Sequence, residues 1–124
     1  MYGKTTVNRG DIWAVNLNPT RGREMRKRRP CVVVSNNIAN KNSPLVTVAA
    51  ISTTAPSKPY RFVVEIPKSA NMPEQSWIHC NQLRTVDKEK RFGRYYTSLD
   101  ADTMRRVDKA LLVQLGIDTK GVNA

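Results

Sequence analysis

The sequence predicts a mainly β (α+β) fold, a small β-barrel with one C-terminal α-helix. Two observations lead to that expectation. Short segments rich in β-branched and aromatic residues recur along the chain with Asn, Pro and Ser turn chemistry between them. Near the C-terminus the apolar spacing then changes from strand-like to helical. A length of 124 residues suits one domain with a real core and is too short for two. Residues 1–124 are therefore read as a single module, with 40% hydrophobic and 25% charged residues placing it in the globular range.

Residues 11–17 (DIWAVNL) form the first expected strand, ended by the turn signal Asn18-Pro19-Thr20. Residues 31–35 (CVVVS) are a continuous apolar run suited to a strand buried on both faces. The polar stretch 36–44 has room for one helical turn. Residues 45–52 (LVTVAAIS) and 60–66 (YRFVVEI) read as the third and fourth strands, separated by a loop with Pro56 and Pro59. Residues 77–86 (WIHCNQLRTV) read as a fifth, more polar than a core strand needs. A charged connector, 87–94, leads to a short strand at 94–97. Met104, Val107, Leu111 and Leu115 then recur at helical spacing, with Asp100 placed to cap the helix and Gly116 to end it. The chain has no internal repeat, low-complexity tract or interdomain linker.

A formal net charge of +11 attracts phosphate backbones, anionic surfaces or acidic proteins. The longest apolar runs fall far short of the roughly 20 residues that span a bilayer, so no membrane partner is expected. The N-terminal MYGKTTVNRGDIW lacks the apolar core and cleavage site of a secretory signal, which places the protein in the cytoplasm. There, Cys31 and Cys80 are expected as buried free thiols. Two cysteines and one histidine are too few for a structural zinc site, and no metal or other cofactor is expected.

The charge concentrates in one loop. Between Arg21 and Arg29, six of nine positions are cationic (Arg21, Arg23, Arg26, Lys27, Arg28 and Arg29), broken only by Gly22, Glu24 and Met25. Charge runs are often solvated surface. Here arginine predominates, whose planar fork suits phosphate oxygens, and Arg29 is held beside Pro30 at the mouth of a buried strand. Glu24 is the loop's only acid, able to act as a general base if it faces a ribose 2′-OH. A second cluster (Arg84, Lys88, Lys90, Arg91, Arg94) is mixed with Asp87 and Glu89 and reads as solvated surface. Arg84 is the exception, because it follows Gln82, a side chain suited to a base edge. Trp13 and Trp77 are assigned to the core rather than to base stacking.

The segments RGDIWAVNLNPTRGRE, RRPCVVVSN, VTVAAIS, NQLRTVDKEKR and DADTMRRVDKALLVQLG, in this order and spacing, resemble the MazF/PemK/Kid toxins over about residues 9–117. The resemblance implies an SH3-like, strongly twisted β-barrel with a C-terminal helix, assembled as a homodimer. It implies metal-independent cleavage of single-stranded RNA, including mRNA, leaving a 2′,3′-cyclic phosphate and a 5′-hydroxyl. It also implies silencing by a cognate, MazE-like antitoxin, and the cationic surface suits an acidic one.

Position by position, Arg29 is the family's arginine before proline, Glu24 the acid of its loop, and Ser52 stands where the family has threonine. Adjacent Thr53 is an alternative hydroxyl. Where the Kid branch reads R-C-D-Q-P-R, this chain has His79, Cys80, Asn81, Gln82, Leu83 and Arg84, so His79 replaces an arginine and Asn81 an acid. The implied scheme has Glu24 deprotonating the 2′-OH and Arg29, with the Ser52 hydroxyl, stabilising the phosphorane. His79 is the candidate that protonates the leaving oxygen. Arg21, Arg23, Arg26, Lys27 and Arg28 would hold the RNA, together with Asn81, Gln82 and Arg84. Two readings of other classes stay open, a CcdB-like barrel that binds gyrase and a non-catalytic RNA-binding barrel; CcdB-like members lack the RP and QLRT pattern kept here.

Overall fold

The computed structural model describes residues 4–69 and 71–120. In chain order the elements are β1 (Asp11–Asn16), β2 (Arg28–Val33), α1 (Asn37–Asn42), β3 (Leu45–Ser52), β4 (Val63–Ile66), β5 (Ser76–Asp87), α2 (Lys88–Arg91), β6 (Phe92–Ser98) and α3 (Ala101–Leu115). The strands form one antiparallel sheet in the order β4-β5-β3-β2-β1-β6. This is the expected mainly β architecture with a C-terminal helix. Among the described residues β4 and β6 do not pair, so the barrel-like sheet is not closed.

Because side chains alternate across a strand, the sheet carries a core on each face. Ile12, Val32, Ala49, Ile51, Ile78 and Cys80 fill one, under Val107 and Ala110 of α3. Trp13, Val15, Cys31, Val33, Val48 and Ala50 fill the other, with Phe92, Tyr95 and the loop residue Met25 packed against them. The apolar half of β2, residues 31–33, is thus buried on both sides, as its composition requires. α3 begins at Asp100, whose side chain accepts from the Thr103 N–H at 2.7 Å, and ends at Gly116 in the left-handed conformation, φ +66°. Met104, Val107 and Leu111 of the predicted stripe pack on the sheet, whereas Leu115, in the last turn, is 58% exposed.

Several boundaries differ from the sequence reading for local reasons. β2 starts at Arg28, because Arg28, Arg29 and Pro30 pair with Asn16, Val15 and Ala14 of β1. Pro30 is tolerated there because pairing of β2 with β3 begins only at Cys31. β4 starts at Val63, after a turn in which the Val63 N–H donates to the Tyr60 carbonyl and the Tyr60 and Phe62 rings stack at 4.9 Å. The charged connector contains a helical turn, α2, capped by Asp87, and β6 begins directly after it.

One irregularity places the site. β5 pairs with β3 through Leu83↔Ala49 and then His79↔Ala50, leaving Cys80, Asn81 and Gln82 without partners on β3. A bulge of this kind bends the strand and re-aims its side chains.

Candidate functional site

The bulge and the end of β2 define one working face. Arg29 shares a face of β2 with Cys31, and Cys31 pairs with Ala50, which pairs in turn with His79. Arg29 and Ser52 each lie two residues beyond the Cys31–Ala50 pair, on the same face of their strands and toward the same end. Arg29, Ser52 and His79 therefore surround Ala50 on one face of the sheet.

Electrostatics agree with this placement. Burial, reinforced by the Arg29 charge, holds His79 below its ordinary value of 6.5. Burial pushes the Cys31 thiol up to about 12, against the opposing charges of Arg29 and Arg84, and the Cys80 thiol to about 11. Both cysteines are free and buried, as expected. His79 Nε2 is the one buried side-chain nitrogen or oxygen without a hydrogen-bond partner among the described residues. A protonated ring would place an unpaired N–H there, a second reason for the imidazole to stay neutral. The Arg29 Nε donates to the Arg26 carbonyl at 2.9 Å, which anchors the side chain by one edge. Ser52 Oγ accepts from the Thr54 N–H at 3.1 Å and keeps its own proton to donate.

Glu24 reaches this face from the loop. Its carboxylate accepts from the Arg21 N–H at 3.2 Å, and it rims a recess of about 410 Å³ with Asn81, Gln82 and Arg84, floored by Val48 and Ala50. Arg29, Lys27 and Thr53 line a separate recess of about 200 Å³. Of the sequence-predicted residues, Glu24, Asn81, Gln82 and Arg84 thus line the first recess, and Arg26, Lys27, Arg28 and Arg29 the second. The Gln82 side-chain carbonyl accepts from the Met25 N–H at 3.3 Å and ties the loop over the bulge. Among the described residues the ion pairs are Lys4–Asp11, Arg9–Asp108 and Arg105–Asp102, so the loop's cations are un-neutralised.

Four residues depart from expectation. The Arg84 guanidinium donates to the Leu17 carbonyl, and at 3.2 Å to that of Pro19, so its fork is occupied by protein rather than open to a ligand. Arg28 alternates away from Arg29 along β2 and sets its guanidinium against Gly93, where an added side chain would meet it, while still lining the recess that holds Arg29 and Lys27. Trp13 is fully buried as assigned, but Trp77 is only half-buried and lines an open groove of about 360 Å³ with Lys58, Tyr60 and Glu65. Its alternation with buried Ser76 and Ile78 was the available signal. Arg91, read as surface, instead donates to the carbonyls of Asn16, at 3.1 Å, and Asn18. Among the described residues no cluster of three or more His, Cys, Asp or Glu is placed to hold a metal ion.

Comparison with known proteins agrees with this geometry. A family model described as "PemK-like, MazF-like toxin of type II toxin-antitoxin system" matches residues 8–115. Among solved structures, MazF from Deinococcus radiodurans superposes with a TM-score of 0.79 at 24% identity, covering 92% of this chain and 100% of that one. An endoribonuclease in complex with its cognate antitoxin, from a mycobacterial species, gives 0.74 at 22% identity, covering 90% and 96%. A MazE–MazF complex from Deinococcus radiodurans gives 0.74 at 23%, covering 93% and 100%.

Proposed function

The chain belongs to the PemK-like, MazF-like toxin family of type II toxin–antitoxin systems, and on that premise we propose that it is an endoribonuclease cutting single-stranded RNA, mRNA included, without a metal ion. The observation that carries this reading is the gathering of Arg29, Ser52 and His79 on one sheet face beside a basic loop whose cations form no ion pair among the described residues. That face supplies a fixed cation, a hydroxyl donor and a proton carrier, and the loop attracts the phosphate chain.

In this scheme the ribose 2′-OH loses its proton and attacks the adjacent phosphorus, the 5′-oxygen leaves and takes a proton from solvent water, and the products carry a 2′,3′-cyclic phosphate and a 5′-hydroxyl. Arg29, permanently charged, and the Ser52 O–H stabilise the charge that develops on the non-bridging oxygens. Protonating the leaving oxygen would require an imidazolium, which burial and Arg29 both oppose. Neutral His79 is better matched to taking the 2′-OH proton, the role the sequence assigned to Glu24. Glu24 then serves from its recess with Asn81 and Gln82, whose amides suit the edges of an unstacked base.

The relatives solved with antitoxins support a cognate acidic antitoxin as partner, one that competes for the same cationic face. A homodimer and a cytoplasmic setting complete the reading. The outer edge of β4 and the exposed Val113, Leu115 and Ile117 offer a second copy an apolar surface. Mapping the ends produced from a mixed single-stranded RNA pool in EDTA tests the proposal. Discrete cuts ending in cyclic phosphate support it. RNA retention without cleavage supports a binding barrel, and neither result supports a protein-targeting toxin.

A further inference from the structure

The basic loop from Leu17 to Lys27 is long and charged, with three arginines and one glycine, Gly22, and its ordering has an entropic cost. Its root is nevertheless tied down. Asn16, Leu17, Asn18 and Pro19 present four successive backbone carbonyls, and each accepts from an arginine: Asn16 and Asn18 from Arg91, Leu17 and Pro19 from Arg84. The two arginines come from different elements, β5 and α2, and grip the turn through interleaved contacts. The far side of the root is closed by the Leu17 N–H on the Lys27 carbonyl at 3.0 Å and the Lys27 N–H on the Asn18 side chain at 3.0 Å. Lys27 takes φ +69°, a conformation a non-glycine residue holds only where its surroundings fix it.

We propose that Arg84 and Arg91 are positioning residues, a two-arginine clamp on the carbonyls of Asn16 to Pro19 that sets the loop so Glu24 and its cations face the working surface. This inference rests on the endoribonuclease reading for its catalytic consequence and on backbone geometry for the clamp itself. Constraining carbonyls without donors is costly, and a planar guanidinium holds its N–H donors in a fixed geometry where the three donors of an ammonium rotate on a flexible stem. Arg84 uses both ends of its guanidinium on these carbonyls, whereas Arg91 reaches both of its carbonyls through one nitrogen, Nη1; in the sequence Arg84 reads as a nucleic-acid ligand and Arg91 as surface.

Arg91→Lys separates the two roles because it keeps the charge and removes the planar guanidinium whose Nη1 reaches both Asn16 and Asn18. The readouts are amide hydrogen exchange at Leu17 and Lys27, and kcat and KM on single-stranded RNA. The clamp predicts faster exchange at both amides, with kcat lowered about tenfold or more while KM stays within about twofold. Wild-type exchange and kcat would overturn it, as would faster exchange with unchanged kcat. A raised KM at unchanged kcat, with a shallower salt dependence of RNA affinity, would make Arg91 a phosphate ligand and also overturn it. Arg84→Lys, read the same way, guards against one variant failing to fold. Should the wild-type protein leave RNA uncut, the endoribonuclease reading fails while the exchange experiment still reads the clamp.

Discussion

His79 is the chain's single histidine, so its ring can be followed by NMR without assignment. Burial and then the Arg29 charge lower its pKa from 6.5, and its titration midpoint is expected below that value. Arg29→Met, which removes the second cause, should move it upward, and an unmoved midpoint would show that the two side chains do not face each other. The sign for catalysis follows. A base must be unprotonated, so the cleavage rate falls as pH drops through the lowered pKa, and His79→Gln abolishes that acid limb while reducing the rate by about 100-fold or more. A rate that instead falls as pH rises near neutrality would make His79 the proton donor. Stability carries the same sign: below pH 6.5 the unfolded chain takes up a proton that the folded chain resists. Acidification through that window therefore destabilises the wild-type protein more than His79→Gln.

At the scale of elements, β1 and the helix α3 were legible because each needs only a local pattern. Trp13 shows what β1 contributes. It is fully buried, its ring lies 5.4 Å from those of Phe92 and Tyr95, and its Nε1 donates to buried Asp11 at 3.3 Å. Trp13→Ala should cost about 3–5 kcal/mol, read as a lower denaturant midpoint at unchanged slope; a loss under about 1 kcal/mol would mean that core is not packed as described. The working face was harder to read. Arg29, Ser52 and His79 lie on three strands, and their meeting depends on the β5 bulge at Cys80 to Gln82, which no glycine or proline marks in the sequence. Family resemblance named these residues, and only the register placed them together. Arg91 was missed for a related reason: its partners are backbone carbonyls, which leave no trace in residue identity, and the surrounding KEKR reads as ordinary surface. Arg28, read in the sequence as an RNA-holding cation, is sent by strand alternation to the other side of β2 from Arg29, against Gly93.

Over the whole molecule, a net charge of +11 describes affinity more than chemistry. Among the described residues no helix is long and apolar enough to cross a membrane. The loop cations Arg21 and Arg23 have no ion-pair partner among the described residues, and replacing either with alanine should weaken RNA binding. Each lost phosphate contact lowers the slope of log affinity against log salt by roughly 0.7, with kcat at saturating RNA unchanged. A fall in kcat at unchanged slope would assign that arginine to the chemistry instead. The central claim is that a charged, metal-independent centre around Arg29 cuts RNA, and cleavage of single-stranded RNA in EDTA by wild type and by folded Arg29→Ala tests it most directly. The account predicts cutting by the wild type and a loss of about two orders of magnitude or more in the variant. Undiminished cutting by folded Arg29→Ala would contradict it.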